Sequence, residues 1–281
     1  MEYLKQRFFD ENNNIKTFLT DDNCLLSLEH NKHIQENTKK EFVKKFVNKL
    51  LDKGILNEQF INSVDDINAW SIDFPSWHGI FDEKKGKRIF IIGSEPHIHF
   101  KYLQSVYSFN NERKLEDYLE NDHPIFKFIS DLLSHKLNIS KEEVLMQCYL
   151  TDLFPLSPFR GNGKSVGSTD KLQTVIGDTG NWIDIRYKYA KDNLPFEVEN
   201  VKPEIIITQG KDVFKEVIRI LDIKDKPKEI QVTPRKGKNQ FIRSVKWKEY
   251  EIISVPHIGS SRMRTFWTNN MDKIKEAIMR L

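Results

Sequence analysis

The chain has 281 residues, of which 38% are hydrophobic and 30% charged, and its formal net charge at pH 7 is +3. This length allows one large or two small domains with a sizeable core, and so small a net charge means that an acidic partner must meet a local patch. The two cysteines, Cys24 and Cys148, are too few for a four-thiolate zinc site or an iron–sulfur cluster. We therefore expect no metal, no cofactor and no disulfide framework.

The sequence also carries no signal for a membrane. The first residues, MEYLKQRFFDENNN, lack the apolar core of a signal peptide, and no stretch approaches 18 apolar residues. We expect a cytoplasmic protein that is a monomer and has no membrane span.

Predicted helices and strands follow one another along the chain. Residues 1–85 are predicted to form a helical extension packed on the core, and residues 86–281 to form the main domain. Buried strands are predicted over four short apolar runs, Arg88–Ile92, Val144–Phe154, Pro203–Thr208 and Glu249–Val255. Helices are predicted over Pro124–Leu137, Leu172–Ala190, Asp212–Leu221 and Thr268–Arg280, and a basic hairpin is predicted over residues 229–246.

This alternation predicts an α/β fold, because unbroken apolar strands separated by helices are typical of a parallel sheet buried on both faces. We expect three layers, α/β/α, around a central and mostly parallel sheet of four strands. The basic hairpin and the helical N-terminal extension are added to this core.

Residues that directly follow the strands are candidates for a site, because ligands bind at the carboxyl ends of such strands. Gly93–His97 (GSEPH) holds Glu95 in a tight turn, where a carboxylate suits a general base, a charge stabiliser or simply a turn. Pro256–Arg262 (PHIGSSR) holds His257 before small residues and an arginine, which suits contact with a phosphate. The other two strands end at Asp152 and at Gln209–Lys211.

These four strand endings resemble motifs of the uracil-DNA glycosylase superfamily. GSEPH is similar to that family's GQDPYHG turn, with Glu95 in place of Asp. The stretch VYSF over residues 106–109 is similar to the one that supplies an aromatic ring to the flipped base. Asp152 stands where a family strand ends in Asn, and residues 255–260 resemble the HPS loop, with His257 as its histidine. The resemblance covers residues 88–281.

The resemblance implies a DNA glycosylase, an enzyme that flips a base out of DNA and hydrolyses its N-glycosidic bond to leave an abasic site. Glu95 would stabilise the sugar cation or orient the attacking water, and His257 would stabilise the negative charge on the base. Tyr107, or failing that Phe109, would stack on the base. The implied phosphate contacts are Ser260, Ser261 and Arg262.

Two departures from the family pattern concern the base. An ionised Asp152 can only accept hydrogen bonds, whereas Asn also donates, so Asp152 suits the amino group of cytosine better than uracil O4 unless it is protonated. His97 stands where uracil enzymes place a Tyr beside C5, and it leaves room for a substituent. Both favour a 5-substituted cytosine, and some members of the superfamily remove glucosylated hydroxymethylcytosine from phage DNA in anti-phage defence. Cytosine leaves less readily than uracil, and His97 and His99 are candidate proton donors.

Two further features concern contact with DNA. Ser261 stands where uracil enzymes insert a Leu into the base stack, so either Met263 or Phe266 is an alternative wedge or the enzyme acts on DNA that is already open. Residues 235–248 contain six basic residues and no acidic one, which predicts either a local DNA-binding patch or a solvated hairpin. The six are Arg235, Lys236, Lys238, Arg243, Lys246 and Lys248.

Three other functions compete with this one. The first is nucleoside triphosphate hydrolysis. FRGNGKS over residues 159–165 resembles half of a phosphate-binding loop, but the first required glycine is replaced by Pro158. A non-catalytic nucleic-acid-binding protein can share the same fold, although binding alone needs neither Glu95 nor His257. A uracil-DNA glycosylase of base-excision repair is the third alternative.

Overall fold

The computed structural model describes residues 48, 50–56, 70–72, 76–77, 88–93, 124–154, 156–158, 182–235, 238–258 and 261–281. The description covers the backbone alone for residues 70–72, 76–77, 124–126, 145–146, 150, 156–158, 182–183, 200, 233–235, 238–239 and 261–262. The described residues divide into two compact units. The first unit contains those between 48 and 72, 152 and 158, and 182 and 200, and the second contains those between 76 and 93, 124 and 151, and 201 and 281.

The described chain contains nine strands and five helices with complete bounds. The strands are β1 (Trp70–Ile72), β2 (Ser76–Trp77), β3 (Ile89–Gly93), β4 (Cys148–Asp152), β5 (Leu156–Pro158), β6 (Ile205–Gln209), β7 (Lys228–Arg235), β8 (Lys238–Trp247) and β9 (Tyr250–Val255). The helices are α1 (Pro124–Leu137), α2 (Lys141–Met146), α3 (Trp182–Val201), α4 (Lys211–Ile220) and α5 (Ser261–Met279). Residues 50–52 are also helical.

The larger of two sheets has seven strands in the order β2-β4-β3-β6-β9-β8-β7. β6 pairs in parallel with β3 and with β9, whereas β2–β4, β9–β8 and β8–β7 are antiparallel pairs. The predicted α/β class is confirmed, but the predicted count of four strands is wrong. The hairpin β7–β8 joins the same sheet through β9, and the two-residue β2 adds to the other edge.

The first unit has its own small sheet. β1 pairs with β5 in antiparallel orientation, with Trp70 opposite Pro158 and Ile72 opposite Leu156. Most of residues 1–85 lie outside the described residues, so the helical N-terminal extension and the boundary at residues 85 and 86 stay predictions.

Three central strands are buried on both faces because nearly every position in them is apolar. Ile89–Ile92 of β3 and Ile205–Ile207 of β6 are at most 1% exposed. Side chains alternate between the two faces along a strand. One set packs with α1, α2 and α5 in a single apolar cluster, and its strand members are Ile89, Ile91, Ile205, Ile207, Ile253 and Val255.

Helix α4 packs on the other face of β6 and β9. Its buried residues, Val213, Phe214, Val217 and Ile220, recur at helical spacing on one side of the helix. α4 contacts β6 and β9, and none of its buried residues belongs to the cluster formed with α1 and α5. The central strands of the second unit therefore lie between helices.

The described residues bear on two of the predicted absences. No helix among them is both long enough and apolar enough to cross a membrane, and they contain no cluster of His, Cys, Asp or Glu suited to holding a metal ion. Cys148 is a free cysteine buried in the apolar cluster, and burial raises the pKa of its thiol far above the ordinary value of 9.0. Cys24 lies outside the described residues.

One carboxylate joins three helices of the second unit. Asp131 of α1 lies 2.6 Å from the ammonium of Lys141 in α2 and 2.8 Å from that of Lys275 in α5. Partial burial by itself would raise the pKa of the Asp131 carboxyl, but hydrogen bonds from both lysines outweigh it and lower the pKa below 3.8. The ion pairs therefore stabilise the helix cluster while Asp131 is ionised.

Replacing Asp131 by Asn should lower the free energy of unfolding by about 1 kcal/mol at pH 7, because the charged hydrogen bonds are lost but remain partly screened by solvent. The folded-state pKa is below the unfolded value, so this contribution is present above pH 3.8 and is lost as the pH falls through the folded pKa. Urea unfolding should show the difference from wild type shrinking toward about pH 2. Asp272→Asn, an exposed position in α5, is the control, and an equal loss there would contradict the role of Asp131.

Candidate functional site

The carboxyl ends of β6 and β9 lie side by side in the second unit. Gln209 pairs with Val255 at the end of the two parallel strands, and the amide of the next residue, Gly210, donates to the Val255 carbonyl at 2.8 Å. Gly210 has φ 99° and ψ 160°, a conformation that is almost restricted to glycine. This turn lets the chain leave β6 and enter α4 directly.

His257 is presented to solvent at this edge by the residues on either side of it. Pro256 is buried and Ile258 is 0% exposed, whereas His257 between them is exposed. The Nε1 of Trp267, a fully buried residue of α5, donates to the Pro256 carbonyl at 3.1 Å. Two buried neighbours and this hydrogen bond hold the histidine in place.

His257 and Gly210 lie directly against each other. A Cβ added to Gly210 would come 3.4 Å from the Cβ of His257, which is ordinary van der Waals contact. The absence of a side chain at Gly210 thus lets its backbone lie close to the Cβ of His257. Two of the four strand endings that the sequence named as candidates, those after β6 and β9, therefore lie next to each other.

Two buried hydroxyl residues form part of the same edge. Thr208 and Ser254 are neighbours in the register of β6 and β9 and are 0% and 1% exposed. The Ser254 hydroxyl donates to the Gly210 carbonyl at 3.4 Å, and within the described chain the Thr208 hydroxyl has no hydrogen-bond partner. The sequence reasoning missed both residues, although each interrupts an apolar strand at the same register.

Helix α4 begins at this edge without a side chain to cap it. Gly210 is its N-cap and makes no side-chain hydrogen bond to the first turn. The first amide groups of a helix have no partner within the helix, and they attract anions. By contrast, α2 starts with reciprocal bonds, from the Ser140 amide to Glu143 at 2.7 Å and from the Glu143 amide to Ser140 at 3.1 Å.

Several predicted site residues lie outside the described residues. They are Glu95, His97, His99, Tyr107, Phe109, Lys236, Ser260 and residues 159–165. Asp152 ends β4 as predicted and is partly exposed, but it belongs to the first unit, whereas His257 belongs to the second. The roles assigned to all these residues stay predictions.

α5 begins earlier than predicted, and the residues predicted as a wedge are buried. α5 begins at Ser261 rather than Thr268, so Ser261 and Arg262 lie in its first turn and not in a loop. Met263 and Phe266 are each only 7% exposed and belong to the apolar cluster. The prediction that one of them enters a base stack is wrong, because their side chains fill the core beneath α5.

The predicted basic patch is divided along the hairpin. Arg235 and Lys238 are opposite each other in the register of β7 and β8, at the free end of the hairpin. Arg243 is buried in mid-strand, where its Nε lies 2.6 Å from Glu229 and its guanidinium lies over Phe241. Lys246 and Lys248 are exposed at the opposite end, where β8 turns into β9, and Lys248 lies over the ring of Trp247. The five described residues of the predicted patch therefore lie at different places along the hairpin and do not form one surface.

Comparison with known proteins does not assign the chain to a family. No protein-family model matches it, and no curated protein matches its sequence.

Replacing Gly210 by Ala should lower the free energy of unfolding by about 1–3 kcal/mol, because an L-residue is strained at this φ and ψ. The new methyl group would also contact His257, so the NMR signal of that imidazole should shift. Gly54→Ala is the control, since Gly54 has φ 62° and no neighbouring atom within 4 Å of an added Cβ. Equal losses of stability, with an unchanged His257 signal, would contradict the packing of Gly210 against the histidine.

Proposed function

We propose that the protein is a DNA glycosylase that flips out a base and hydrolyses its N-glycosidic bond, with a cytosine-type base favoured and 5-modified cytosine as the first substrate to test. The fold we propose for this activity is the three-layer arrangement of the uracil-DNA glycosylase superfamily. The cytoplasmic location and the monomeric state stay predictions.

The observation that carries this proposal is the exposed His257 at the carboxyl edge of the parallel strands. Ligand sites of α/β sheets occur at this edge, and His257 is held there between buried neighbours and against Gly210. The imidazole can donate a hydrogen bond toward a ligand. A rigid donor placed beforehand is what stabilises charge as it develops on a leaving group.

The surroundings of His257 support a polyanionic ligand. The uncapped start of α4 at Gly210 offers backbone amides to an anion. Arg264 is exposed in the first turns of α5, the helix that follows His257. A phosphate bound by such groups would set the register of a DNA strand without reading its sequence.

In the proposed reaction, bond cleavage leaves cationic character on the sugar and negative charge on the base. His257 would stabilise the base as it leaves, and Glu95 would stabilise the sugar or orient the attacking water. Asp152 would accept a hydrogen bond from the exocyclic amino group of a cytosine. Tyr107 or Phe109 would stack on the flipped base, and His97 would leave space at C5.

A panel of oligonucleotides tests the reaction directly. The duplexes carry uracil, cytosine, 5-methylcytosine, hydroxymethylcytosine or glucosylated hydroxymethylcytosine, and alkali cleaves the strand wherever an abasic site has formed. We expect cleavage of a cytosine-type substrate, a loss of about 100-fold or more in Glu95→Gln and in His257→Ala, and unchanged DNA binding by Glu95→Gln. If no substrate in the panel is cleaved, the proposed activity is wrong.

The choice of base is tested at Asp152. An Asn amide both donates and accepts, so Asp152→Asn should shift the ratio of cleavage rates toward uracil by about tenfold or more. The measurement is the ratio of uracil to cytosine-type cleavage, and Asp184→Asn, an exposed position in α3, is the control. An unchanged ratio would show that Asp152 does not contact the base.

A further inference from the structure

The hairpin β7–β8 extends past the sheet at the same edge as His257. The last pair between β8 and β9 is Arg243 with Ser254, and Lys238–Ile242 continue beyond it while still paired with β7. At about 3.4 Å per residue this free part is roughly 15 Å long. We call the described residues Thr233–Arg235 and Lys238–Phe241 the arm.

The pairing of the two strands is irregular at the base of the arm. Gln231 pairs with Phe241 and Thr233 with Gln240, so Val232 is an extra residue in β7. Such a β-bulge bends and twists a strand pair, and it commonly redirects the residues beyond it. The irregularity lies next to the point where β9 ends, at the base of the arm.

Arg243 stabilises the base of the arm instead of contributing to its surface. It pairs across the strands with Glu229 in the register and forms the 2.6 Å ion pair with it. Its side chain is only 10% exposed, and its guanidinium lies 5.1 Å from the centre of the Phe241 ring. This contact between the two strands holds the base of the arm rigid.

All charged residues in the sequence of the arm are basic. Residues 233–240 contain Arg235, Lys236 and Lys238 and no acidic residue, while the whole chain carries only +3. Elsewhere in the hairpin, Arg243 forms an ion pair with Glu229. Arg235 and Lys238 are opposite each other in the register, at the end of the hairpin that lies beside the edge carrying His257.

We propose that this arm binds the sugar–phosphate backbone of the DNA that flanks the base at His257. The inference rests on the proposed function for its ligand, but it adds an interaction surface. The arm acts through its free end alone, and the lysines where the strands join the rest of the sheet take no part in binding. A row of cations on a rigid two-stranded projection contacts phosphates without reading sequence.

The test compares two double variants of the full chain with the same loss of charge. Arg235→Gln with Lys238→Gln alters the free end of the arm, and Lys228→Gln with Lys246→Gln alters exposed positions at the other end of the same strands. Binding to a fluorescent duplex of about 20 unmodified base pairs is measured by anisotropy between about 50 and 200 mM salt. Circular dichroism checks that both variants are folded.

We expect the arm variant to lose about tenfold in affinity at the lower salt concentration. The slope of its plot of log K against log salt should be less steep than that of wild type by about 1–2. The control variant should bind as wild type does. Equal losses in both variants, or no loss in the arm variant, would overturn the inference.

The binding assay separates this inference from the proposed chemistry, because the duplex needs no cleavable base. If the arm variant alone loses affinity and no base in the panel is cleaved, the arm inference holds and the glycosylase proposal fails. If wild type cleaves a base and the arm variant binds and cleaves as well as wild type, the glycosylase proposal holds and the arm inference fails.

Discussion

The second unit depends on the burial of both faces of β3, β6 and β9. These strands contain mostly apolar residues, so both faces must be covered; α1, α2 and α5 cover one face, and α4 covers β6 and β9 on the other. The parallel pairing of the three strands brings their carboxyl ends to one edge. The chain leaves the core at that edge. Polar side chains that follow the strands can reach solvent there without interrupting the hydrogen bonds of the sheet.

The candidate site is a consequence of how the chain leaves this core. Gly210 turns from β6 into α4 in a conformation that other residues avoid, and Pro256 and Ile258 turn inward so that His257 faces outward. The hairpin adds charge at the same edge, because its strands are longer than β9 and extend past it. The rigid core therefore determines the placement of the histidine, the helix start and the basic arm.

The sequence predicted the parts of this arrangement that local pattern determines. Apolar runs over residues 88–92, 203–208 and 249–255 identify central strands, because an unbroken apolar run is typical of a strand that is buried on both faces. β2 has two residues and no such pattern, and the basic alternation of the hairpin did not reveal that β8 pairs with β9. Met263 looked like an exposed wedge because its burial depends on the packing of α5, which is a tertiary effect. Gly210 and His257 were each predicted to follow a strand, but their contact depends on tertiary structure.

The hydrogen bond between Trp267 and the Pro256 carbonyl links the mobility of the site to that of the core. Trp267 is fully buried in α5, so residues 256–258 cannot open widely unless this part of the helix also moves. Amide hydrogen exchange in this loop should then follow the slow openings of α5 rather than the fast fluctuations of a surface segment. A ligand bound at His257 would slow exchange along α5 as well, since it stabilises the closed state of both.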